Sequence, residues 1–362
     1  MGFLNKIFGT KEATIGSNDE FWRWFSNNTK RFYIVVKTQG NIEKEFFSRL
    51  SPKLAELREG YFYLTGMLDE NTVELILTAD GTVKNFVFIE EIVACAPDIP
   101  GWKFTAHKPE TKDSAASIKM GGYRFSTDTL SFYAEERADH PDEIEIVITH
   151  DDLNNENRET IANGIFIFLD TYLGELKFAT SIDNLLIIQK SEATQELIPV
   201  EKLKAFLNWR EKEFVEKYDS AIVKTQEEEF SLMEGHKKNG KPILAAIDMG
   251  LLKWENKASH PWMLKMEVFF DGSQNDGLPD TETFKALNSI EDELLLALKD
   301  HKGYLYPGRE TSEDVRSIYI ACNEFRNCSK IADQIKQKYK HTFDITYEIY
   351  KDKYWQSLAH YG

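Results

Sequence analysis

Apolar residues recur at helical spacing along one stretch near the C-terminal end: Phe284, Leu287, Ile290, Leu294, Leu295 and Leu298. The stretch is preceded by Asp276-Gly277, which is turn chemistry, and by Pro279, which cannot donate to a preceding ladder. Asp280 is placed as an N-cap, with Glu282 near the positive end of the predicted helix. At about 100° per residue Glu291 falls inside the apolar stripe, while Asp292 and Glu293 point away from it. A carboxylate on a buried face is costly unless it is paired or neutralised. Glu291 is therefore the residue around which a site is expected.

The same reading along the chain predicts a short aromatic helix at 20–28 and a buried strand at 32–37. A helix closed by Gly60 follows at 41–57, then strands at 61–65 and 72–78. A helix stopped by Pro97 and a strand at 102–106 complete the series. Strand, helix, strand, strand, helix, strand is the ferredoxin-like, split βαβ order. An extension over 114–218 carries strands near 123–125, 130–134 and 144–149 and a helix at 159–173 with Gly174 as C-cap. A strand is expected at 176–179, and a helix starts at Pro199.

Beyond it, a hairpin with an Asn239-Gly240 turn precedes a strand at 262–270, the Glu291 helix, strands at 303–306 and 316–321, a helix at 325–339 and a strand at 343–349. The order repeats. The expected fold is α+β, with a tail at 1–18 and domains at 19–220 and 221–362. Each domain is expected to hold a ferredoxin-like core of mostly antiparallel sheet with helices on one face.

A chain of 362 residues with 42% apolar and 13% aromatic residues can bury a core in each of two domains. The net charge of −16, with Asp and Glu spread along the chain, argues against a nucleic acid or an anionic membrane as partner. No apolar run approaches the roughly 18 residues of a membrane span. Phe3, Leu4, Ile7 and Phe8 share a helical face in the tail, without a signal peptide's apolar core. Cys95, Cys322 and Cys328 form an odd set without CxxC, which fits buried thiols in a reducing compartment, so a cytoplasmic protein is expected.

Phosphate-binding GxxxxGK, GxSxG and HExxH motifs are missing, and the eight histidines show no ligand spacing. No metal and no cofactor is expected. Cys322 and Cys328 read as structural thiols. The constellation that carries chemistry is Glu291 with Arg309 and Arg316, the two arginines bracketing a turn at 308–314. An arginine facing the helix would pair with Glu291. That arrangement reads either as a buried ion pair fixing helix register or as a polar pocket with Glu291 as general base and the arginines as an anion clamp.

Asp276-Gly-Leu-Pro279, Ile290-Glu-Asp292, Tyr306-Pro-Gly-Arg-Glu-Thr311 and Ile318-Tyr-Ile-Ala321 give residues 222–362 a resemblance to a bacterial family, domain of unknown function 695. The segment around Trp355 looks like that family's terminal aromatic block. The first half, through Phe21-Trp-Arg-Trp-Phe25 and Ala96-Pro-Asp-Ile-Pro-Gly-Trp102, resembles an uncharacterised segment often fused to it. The resemblance brings no catalytic residues. Relatives beside domains similar to an acidic ribonuclease E inhibitor imply an interaction role. The expected function is a non-enzymatic protein-interaction or regulatory module. The alternatives are an enzyme using Glu291, Arg309 and Arg316, or a peptide binder at an exposed sheet edge.

Overall fold

The computed structural model describes residues 14–111, 116–218 and 229–362. The chain divides into two compact units, residues 1–109 and 110–362. The tail face at Phe3–Phe8 and the expected boundary at 220/221 lie outside the described residues.

In the first unit, helix α1 spans Asn18–Lys37 and is capped by Ser17, whose hydroxyl accepts from the Glu20 amide at 3.3 Å. Residues 32–37, expected as a strand, are the last turns of this helix. Phe32-Tyr-Ile-Val-Val has the composition of a buried strand. Its buried members, however, are Phe32, Val35 and Val36, which continue the helical face of Phe21 and Phe25 and leave Ile34 exposed. Phe32 stacks on Phe46 with ring centroids 4.3 Å apart, so packing overrides strand propensity here.

Helix α2 (Ser48–Leu57) follows a π-helical turn at Glu43–Phe47. Strands β1 (Phe62–Met67) and β2 (Val73–Thr78) pair antiparallel. Helix α3 (Val83–Ala94) leads to β3 (Trp102–Ala106), which joins β2 in parallel. The result is a three-stranded sheet, β1-β2-β3. Without a strand at 32–37, the ferredoxin-like layout expected for 32–106 is not formed. Cys95, expected buried, is exposed at the end of α3.

The second unit holds two larger sheets. Its first part has a hairpin of β4 (Ser117–Met120) and β5 (Tyr123–Ser126). Strands β6 (Leu130–Glu135), β7 (Glu145–His150), β8 (Asn184–Ile187) and β9 (Ile198–Pro199) form a four-stranded sheet in the order β8-β7-β6-β9. Helices α4 (Arg158–Leu173) and α6 (Leu203–Tyr218) contribute Ile161, Ile165, Leu169, Leu203 and Leu207 to its core, with Phe132, Ile146 and Ile148 from the sheet. Residues 176–179, expected as a strand, belong to helix α5 (Glu175–Ser181).

In the second part, β10 (Phe230–His236) and β11 (Pro242–Asp248) form a hairpin, followed by the short helix α7 (Met249–Leu252). Then come β12 (Trp262–Phe269), α8 (Thr281–Ala297), β13 (Tyr304–Ser312), β14 (Val315–Cys322), α9 (Arg326–Tyr339) and β15 (Asp344–Lys351). The six strands lie in the order β10-β11-β13-β14-β12-β15, every neighbour antiparallel. Helices α8 and α9 bury Leu287, Ile290, Leu294, Cys328, Ala332 and Ile335. A separate cluster forms around Trp355 and Leu358, with Met263, Leu305, Tyr319 and Ala321 from the sheet, so Trp355 is a core residue.

His260, just before β12, is buried with its ring 5.7 Å from that of Trp254, and its Nε2 has no hydrogen-bond partner among the described residues. Burial disfavours the imidazolium and pulls the pKa down from 6.5 to about 4. The unfolded chain thus takes up a proton below pH 6.5 that the folded protein refuses until about pH 4. Stability falls across that window as pH falls, by about 3 kcal/mol for this group alone. Denaturant midpoints measured between pH 4 and 7 will show a shallower acid slope in His260→Gln than in the wild type. An equal slope in both would remove His260 as the cause.

Candidate functional site

Helix α8 begins as its sequence dictates, with Asp280 Oδ1 accepting from the Thr283 amide at 2.8 Å. Of the residues assigned to its inner face, Leu287, Ile290, Glu291, Leu294 and Leu298 are buried. Phe284, expected among them, is exposed. It sits instead over the Arg316 guanidinium, 5.1 Å from the ring centroid, where the aromatic face stabilises a cation.

The structure brings Glu291, Arg309 and Arg316 together. The Glu291 side chain is 4% exposed and its Oε1 lies 2.5 Å from Arg309 Nη1. Oε2 is 3.6 Å from Arg316 Nη1 and accepts no hydrogen bond among the described residues. Arg316, itself buried, donates through Nη1 to Asn288 Oδ1 at 2.7 Å and through Nε to Thr311 Oγ1 at 3.1 Å. Burial pulls its pKa from 12.5 to about 10 despite Glu291. For Arg309 burial, the largest single effect, acts in the same direction, but the charges of and hydrogen bonds to Glu291 and Tyr306 together outweigh it and the pKa rises.

Tyr306 completes the cluster, its hydroxyl donating to Glu291 Oε1 at 2.6 Å. Burial and the neighbouring carboxylate push this phenol far above its ordinary range. Sequence reasoning missed it for a physical reason. In a regular strand residues 306 and 309 point to opposite faces. Between Leu305 and Gly308, β13 advances three residues while β14, from Ala321 to Tyr319, advances two. This bulge lets Tyr306 and Arg309 both reach Glu291. Gly308 sits in it at φ +145°, and a Cβ there would meet the Ala246 carbonyl oxygen at 2.2 Å. The glycine beside Pro307 was the available signal.

A second feature lies on the same sheet. Strand β10 is an edge, paired with β11 alone among the described residues. Leu232 at its centre is 82% exposed, and Phe230 and Leu244, at 40% and 38%, extend the apolar stripe. Leu232 is opposite Ala246 and Ala246 opposite Arg309, so the stripe shares the face that α8 covers further along the sheet. The other edge, β15, instead carries Asp344 and Glu348.

Cys322 and Cys328 are both buried and free, and burial raises the Cys322 thiol well above its ordinary pKa, the opposite of an activated thiolate. Among the described residues no group of His, Cys, Asp and Glu could hold a metal ion. Nor is any described helix long and apolar enough to cross a membrane.

Fold and site together describe an α+β protein whose C-terminal sheet holds a buried carboxylate–guanidinium cluster beneath a helix and, among the described residues, leaves one edge uncovered. The model of a family of unknown function, DUF695, matches residues 235–361, and so takes in β11 to β15 and the whole Glu291 cluster. The match does not reach the first half. Neither a curated protein nor a solved structure matches this chain.

Replacing Glu291 by Ala strands two guanidinium groups and a phenol against α8. The expected loss of stability is about 3–5 kcal/mol, as for other broken buried pairs. A melting temperature within error of the wild type would show that the cluster does not hold the helix.

Proposed function

We propose that this protein is an interaction module that takes an extended peptide along strand β10. The observation that carries this reading is the exposure of Leu232 at the centre of an edge strand. Edge strands offer a row of unpaired N–H and C=O groups, and stable proteins usually blunt them with charges, proline or bulges. Here β10 presents Phe230 and Leu232 with a single carboxylate, Glu234, between them and His236. An added strand would gain main-chain hydrogen bonds, with apolar side chains at every second position meeting Phe230, Leu232 and Leu244. A basic residue opposite Glu234, on the same face as the apolar ones, would complement it and the overall charge of −16.

The expected second reading, an enzyme built on Glu291, Arg309 and Arg316, has less support. Glu291 is enclosed, and the groups within reach of Oε1 are Tyr306 and Arg309 of its own chain. The element order and strand order over β12–β15 support a ferredoxin-like core there, with β10–β11 as an added hairpin. Unbridged cysteines, one of them exposed, support the reducing, cytoplasmic setting expected for a bacterial protein.

Selection of displayed random peptides against the wild-type protein, counter-screened on Leu232→Asp, tests the reading. Enriched peptides should alternate apolar residues, bind the variant at least about tenfold more weakly, and leave its melting curve unchanged. Peptides that bind both proteins equally would place recognition elsewhere.

A further inference from the structure

The two sheets of the second unit meet around a cluster of ionised groups. Asp142, before β7, accepts from Lys217 Nζ at 2.7 and 2.9 Å, from the Tyr218 hydroxyl at 2.7 Å and from the Tyr354 hydroxyl at 2.8 Å. These bonds outweigh burial and hold its carboxyl below the ordinary range. Asp183, between α5 and β8, faces two ammonium groups. Lys353 Nζ donates to Oδ2 at 2.7 Å and also to the Asp142 carbonyl oxygen at 2.5 Å. Lys351 Nζ is 2.8 Å from Oδ1. Lys353 thus reaches two acceptors across the joint, and Lys351, the last residue of β15, reaches one.

Lys351 also differs in what it faces. It lines a cleft of about 370 Å³ whose walls include Trp262, Phe325 and Phe214. Its side chain is 13% exposed. Trp262 lies under the ammonium at 6.0 Å. The charged groups around it are Asp183, Lys353 and Glu211 of α6, with Glu324 and Arg326 on the cleft wall. An amine that is desolvated and held beside a second ammonium is the arrangement that makes a lysine nucleophilic at neutral pH. Asp183 is shared between two ammonium groups, and although Glu211 adds a further negative charge, burial and the neighbouring Lys353 favour release of a proton from Lys351.

We propose that Lys351 is a reactive amine that captures a small aldehyde or ketone with an apolar or aromatic body as an imine. The ammonium first gives a proton to solvent. The free amine then attacks the carbonyl carbon, forming the C–N bond. The carbonyl oxygen is protonated and leaves as water, so amine and carbonyl compound become imine and water with no change in oxidation state. The aromatic walls account for the apolar body, and the volume is within the range of small-molecule sites. This site is separate from the β10 edge and does not depend on peptide binding there.

Benzaldehyde with cyanoborohydride traps such an imine as a benzyl amine that peptide mass spectrometry locates. In the full-length protein Lys351 is expected to be labelled about tenfold faster than Lys212, an exposed lysine of α6. The labelling rate should rise through about pH 8, where burial and Lys353 place the Lys351 amine. Lys351→Arg keeps the charge facing Asp183 and should abolish labelling at 351 while leaving Lys212 and the melting temperature unchanged. Labelling of Lys351 no faster than that of Lys212 would overturn the proposal and leave the residue as an ion-pair latch only. A rate that does not change between pH 7 and 9 would overturn it as well.

Discussion

A single buried carboxylate facing two guanidinium groups constrains the C-terminal sheet more than any other contact. Glu291 can be accommodated under α8 because Arg309 and the Tyr306 hydroxyl meet one oxygen while Arg316 stands off the other. Arg316 in turn depends on groups other than Glu291. Asn288 and Thr311 take two of its donors, and Phe284 covers its plane. Shifting α8 by one residue would move Glu291, Asn288 and Phe284 off their partners together. Apolar packing alone would not enforce this register so sharply, because leucines at neighbouring positions substitute for one another at little cost. The polar cluster therefore makes the helix position specific as well as favourable.

Around that fixed centre the sheet is asymmetric. On the side of α8 and α9 four strands are covered, and the β10–β11 hairpin extends past the helix with Phe230, Leu232 and Leu244 exposed. At the far end, one residue after β15, Lys353, Tyr354 and Trp355 tie it to the neighbouring sheet and to the cluster on the opposite face. One edge is thus joined to the rest of the unit through ion pairs, and the other, β10, pairs with β11 alone among the described residues. The sheet's two margins are finished differently. One margin was left apolar, and at the other two ammonium groups converge on one carboxylate.

Local sequence signals located α8 well. Its Asp280 cap, the spacing of Leu287, Ile290 and Leu294 and the misplaced charge at Glu291 are all properties of a few adjacent residues. The pairing of Glu291 with Arg309 and Arg316 was legible for the same reason, since few groups neutralise a buried carboxylate. Other features were not local. Phe32 to Lys37 looks like a strand because β-branched and aromatic residues suit one, whereas its burial along the face of Phe21 and Phe25, with Phe32 stacked on Phe46, favours the helix. Tyr306 was hidden by a bulge that reverses the alternation of β13. Lys351 was hidden altogether, because Asp183 lies 168 residues away and Glu211 140, and no periodicity relates them.

Taken by itself, the sequence determined where α8 begins, most of the face it buries and that a carboxylate at 291 requires a cation, because hydrogen-bond satisfaction and burial act over a few residues. Which edge of the sheet stays open, how a bulge aims Tyr306, and which lysine meets Asp183 inside a cleft were decided only by the tertiary structure. Those outcomes depend on distances between segments far apart in the chain, and such distances exist only once the sheets have formed.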